Sequence, residues 1–149
     1  MLSQQQQRSE SYIQAFRGRF SSVMRWEQLD DFWNILKSQA DDHWYIYAVG
    51  EAAPTETSSA DQLISFIDQV DALLRKEHEE DYCAIVYADD HDAPSFIKIF
   101  DPNNLGVSCG FSENPPLPGW VLSKIQPVDL ENALRPANNR RRWWQKVFA

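Results

Sequence analysis

Two cysteines in 149 residues are too few for a disulfide scaffold. Cys83 and Cys109 are also spaced neither as a zinc knuckle nor as a C-x-x-C redox pair. Five glycines leave no glycine-rich loop to cradle a nucleotide phosphate. Neither a nucleophile elbow nor an HExxH helix occurs. Apolar runs are short, as in Ala84–Ile85–Val86–Tyr87–Ala88, so no segment suits a bilayer span. The opening MLSQQQQRSE has no apolar leader core. The expectation is a reduced, cytoplasmic protein with no membrane span, no cofactor and no metal site.

Basic residues are scarce in the body of the chain. Residues 27–129 hold 20 acidic side chains against 5 basic ones, within a net charge of −8. The segments before and after are net basic. An acidic body between basic ends disfavours a broad nucleic-acid surface, which needs a basic face. It fits a solvated surface, or ends that find an anionic surface on the body or on a partner.

Aromatic residues, in contrast, are plentiful: six Trp, eight Phe and five Tyr. Apolar residues at helical spacing predict helices over 10–24, 26–39 and 59–77. Ser21–Ser22 marks a break between the first two, and Glu27, Asp30 and Asp31 favour a fresh helix start after it. Ser59 with Gln62 fits a capping box for the third. β-branched and aromatic runs predict strands at 43–49, 82–88, 95–101 and 106–111, the last three as a meander. A helix between the first two strands allows them to be parallel through a right-handed crossover. Pairing Ala88 with Ser95 in the meander places Lys98 beside Cys109 on the next strand.

Four prolines in 114–130 argue against a regular helix or a central strand there. Trp120, Val121, Leu122 and Ile125 are expected to lie across the domain as a strap. The resulting expectation is an α+β fold: a mixed or antiparallel sheet of about four strands, helices mainly on one face. Residues 1–9 read as a disordered polar tail, 10–136 as one domain, and 137–149 as a basic, Trp-containing tail.

Two function classes follow. The first is a non-catalytic accessory or regulatory protein that acts by protein–protein interaction or self-association. Its candidate binding residues are Arg140, Arg141, Arg142, Trp143 and Trp144, which combine charge with aromatic faces. The second is a small enzyme or thiol-dependent protein using Cys109 near Lys98, with Tyr87 close by. An ammonium beside a thiol would stabilise the thiolate. His78 and His91 sit in acid-rich stretches, yet at opposite ends of one strand, too far apart to share an ion.

Overall fold

The computed structural model describes residues 3–104 and 117–134. Helix α1 spans Gln4–Phe16, α2 spans Trp26–Ser38, α3 spans Ala60–Glu77 and the short α4 spans Leu130–Ala133. The strands are β1 (Ser21–Ser22), β2 (Tyr45–Ala48), β3 (Val86–Ala88), β4 (Phe96–Ile99) and β5 (Trp120–Ser123). They form one open sheet in the order β1-β3-β4-β5-β2, with every pair antiparallel. The α+β class is as expected, with five strands among the described residues in place of four.

The strap is the main correction. Trp120–Ser123 is a central strand, held between β4 and β2. The prolines flank it without interrupting it: Pro118 precedes Trp120 and Pro127 follows Ser123, so each residue of the strand keeps its N–H for the ladder. Gly119 leads in where the chain runs close to Asp101; a Cβ there would lie 3.0 Å from the Asp101 Cβ. Because β5 occupies that place, β2 becomes an edge strand paired to β5 and has no parallel crossover to β3. The expected strand at 106–111 lies outside the described residues.

α1 also differs. It begins at Gln4, so the run read as a polar tail forms helix. Ser3 and Gln6 supply a reciprocal capping box that the composition concealed. The helix stops at Phe16, ahead of Gly18, and the chain from Phe20 to Met24 is extended. α2 then starts afresh, with Gln28 accepting from the Arg25 N–H. The Ser59–Gln62 capping box of α3 is present with both bonds formed.

Both faces of the sheet are covered. Leu29, Phe32, Trp33 and Leu36 of α2 and Leu63, Ile67, Val70 and Leu74 of α3 pack on Val86, Ala88, Ile97, Ile99 and Leu122. α1 and α4 cover the opposite face, where Tyr12 and Leu130 meet Tyr47, Phe96 and Val121. Two of the three long helices thus share one face. β2 and the residue before it contribute to both cores, with Trp44 and Ile46 on one side and Tyr47 on the other, Trp44 and Tyr47 fully buried.

Register in the β3–β4 hairpin is shifted by two residues from expectation. Ala88 pairs with Ile97, and Tyr87 with Lys98. The Asp89 carboxylate sets this by accepting from the Ser95 and Phe96 amides and the Ser95 hydroxyl. A two-residue shift leaves the side-chain faces unchanged. Cys83 and Ile85 enter the α2/α3 core together with Val86 and Ala88. Ala84 has φ of 55°, and this left-handed residue breaks the alternation just before β3.

Candidate functional site

Lys98 is the candidate catalytic residue that falls within the described chain. Its strand neighbours are Tyr87 on β3 and Val121 on β5. Both ladder positions beside it are therefore filled by described residues. The neighbour of β4 on its other side is Trp120–Ser123. Cys109 itself lies outside the described residues, as do Arg140, Arg141, Arg142, Trp143 and Trp144.

What surrounds Lys98 is aromatic. Its Nζ stands 4.0 Å from the centre of the Phe16 ring and 3.9 Å from that of Phe20. Phe96, two residues earlier on β4, steadies both rings, with centroids 6.3 and 5.6 Å away. Among the described residues no carboxylate forms an ion pair with Lys98, whereas Lys37 pairs with Asp68 and Lys124 with Asp41. Ring faces attract an ammonium but replace its hydration only in part. Burial pushes the amine down from 10.5 to about 8. The i, i+4 pair Tyr12 and Phe16 is legible as a helix face; the same spacing extends to Phe20, so its place as the second wall is not legible in the sequence.

The second cluster lies where β1 runs into α2. Met24 and Tyr82 are each 50% exposed, and the Cys83 amide donates to the Met24 carbonyl at 2.8 Å. Half-buried Trp26 donates from its indole to the Glu80 carbonyl at 3.0 Å. The His78 ring bridges Trp26 and Tyr82, at 6.0 and 6.2 Å. Its Nε2 lies 2.9 Å from the Cys83 carbonyl oxygen. Arg75 stacks on Trp26 and is neutralised by Asp30 and Asp71. Glu77, Glu79, Glu80 and Asp81, at the end of α3 and in the stretch leading to Tyr82, are exposed, as are Arg25 and Lys76. Sequence reasoning missed this cluster. The signal was present in the Met24–Arg25–Trp26 and His78–Tyr82 stretches, but only the fold brings them together.

Cys83 is buried, and burial pushes its thiol up, so it serves as a small core residue. His91 lies 3.0 Å from the Ser21 carbonyl, tying the hairpin loop to β1. Among the described residues no group of three or more His, Cys, Asp or Glu side chains is placed to hold a metal ion, and no helix is long and apolar enough to cross a membrane.

The fold defines an α+β chain with a five-stranded antiparallel open sheet covered on both faces. No family model, no curated protein and no solved structure matches the chain.

Proposed function

We infer that the protein is a non-catalytic accessory that binds another polypeptide through the Met24–Trp26–Tyr82 surface. The observation that carries this reading is the pairing of exposed apolar side chains with an acidic border. Two of the three large exposed hydrophobics among the described residues adjoin there. Methionine and aromatic side chains are the usual anchors of recognition surfaces. The border of Glu77, Glu79, Glu80 and Asp81 selects by charge, so the occupant is a basic segment carrying an aromatic anchor.

The test uses full-length ¹⁵N-labelled protein and a synthetic peptide bearing three arginines and two tryptophans. Amide shifts are expected at Met24, Trp26 and Tyr82, weakening as salt rises. The double substitution Met24→Glu, Tyr82→Glu should lower affinity at least roughly tenfold with little change in thermal midpoint, because both side chains are exposed. Shifts confined to other surfaces, or none, would overturn the reading.

A further inference from the structure

We propose that Lys98 is a nucleophilic amine that captures small apolar aldehydes as imines between the rings of Phe16 and Phe20. This site is separate from the polypeptide-binding surface and independent of it. An amine attacks carbonyl carbon only as the free base. A carboxylate partner favours the ammonium form of a lysine; Lys37 has such a partner in Asp68 and Lys124 in Asp41. Lys98 has no such partner among the described residues, and two phenyl faces displace its water. Desolvation of this kind is a recognised way to activate a lysine toward carbonyl compounds. Its depressed pKa of about 8 agrees with the geometry. Lys98 is only half-buried, so part of the residue meets solvent.

The walls set the ligand class. Phe16, Phe20 and the cross-strand neighbour Tyr87 offer aromatic surface. They favour an uncharged aldehyde with a planar apolar body. In the reaction the nitrogen lone pair forms a C–N bond, and an N–H proton passes to the former carbonyl oxygen. In the carbinolamine the C–O bond then breaks, the hydroxyl leaves with the remaining N–H proton as water, and the nitrogen electron pair closes the C=N bond. No oxidant or reductant is consumed.

Full-length protein is incubated with benzaldehyde and sodium cyanoborohydride near neutral pH, and the trapped benzyl adducts are mapped by peptide mass spectrometry. A shift from 10.5 to about 8 raises the free-base fraction by over a hundredfold. Lower basicity gives back about half of that gain on a logarithmic scale, by analogy with thiol nucleophiles. Lys98 should therefore react roughly tenfold faster than Lys37, Lys76 or Lys124. Phe20→Leu, which opens one wall to water, should reduce that lead severalfold, and anionic glyoxylate should show a smaller lead than benzaldehyde. Benzylation of Lys98 no faster than of Lys124 in the unmodified protein would overturn the proposal, whether or not the variant folds. An equal lead with glyoxylate would overturn the ligand class.

Discussion

Lys98, Tyr12 and Tyr47 lie on one side of the sheet, and each makes stability depend on alkaline pH. Below about pH 8 Lys98 is protonated in both the folded and unfolded states, and the cost of burying the ammonium is fully present. From about 8 to 10.5 the folded state releases its proton first, so the unfolded state binds more protons and stability rises with pH. The tyrosines act oppositely. Burial raises both phenols above 10.0, so their contribution is intact below that value and is lost as pH climbs past it. The raised Cys83 thiol begins the same loss above 9.0. Thermal unfolding at stepped pH should show a midpoint that climbs between pH 8 and 9 and turns down above 10. Lys98→Met should abolish the climb and keep the downturn; a wild-type midpoint that stays level or falls between 8 and 9 contradicts this. The two tyrosines also part company. The Tyr12 hydroxyl is buried with no hydrogen-bond partner among the described residues, whereas the Tyr47 hydroxyl accepts from the Leu130 amide at 3.2 Å. In urea titrations Tyr12→Phe should leave stability unchanged or raise it by up to about 1 kcal/mol, and Tyr47→Phe should cost about 1 kcal/mol.

At the scale of elements, legibility tracked how local each signal was. The α3 capping box and stripe involve residues three or four apart, and both formed as read. Ser59→Ala should therefore cost about 1 kcal/mol by chemical denaturation. The α2 start was likewise visible in its acidic first turn. The faces of the stretch around β2 are legible from alternation, since Trp44 and Ile46 enter one core and Tyr47 and Val49 the other. What failed was pairing. Nothing near Trp120 announces that β4 and β2 will receive it, and the prolines around it masked a strand of four residues. The extended form of Ser21–Ser22 is likewise imposed by β3. For the candidate site, alternation puts Tyr87 close to Lys98, but their direct pairing needs the observed register, and helical spacing places Phe20 in a helix. Ala84 shows the same limit: an alanine in left-handed conformation has no sequence mark. That conformation costs an L-residue roughly 1–2 kcal/mol, so Ala84→Gly should stabilise the protein by about 0.5–1 kcal/mol, less if the freer unfolded chain offsets it. A measured loss of stability would mean that the Ala84 methyl contributes more packing than its conformation costs.

For the whole molecule, the order β1-β3-β4-β5-β2 has a consequence for the history of each copy. β2 is made early, yet its sheet partner is Trp120–Ser123. β4 likewise has one neighbour in β3 and waits for the same four residues on its other side. A nascent chain that has not reached Ser123 therefore carries two apolar strands with open hydrogen-bonding edges, the arrangement that invites pairing between chains. Long-range pairing of this kind also slows folding, because the loop must close before any ladder bond repays it. A chain ending at residue 116 should give no cooperative unfolding transition by circular dichroism and should aggregate where the full chain does not. On the ribosome, then, the sheet is assembled by insertion: of the described strands an interior one, β5, is delivered last, and chaperone contact is most needed in the interval before it arrives.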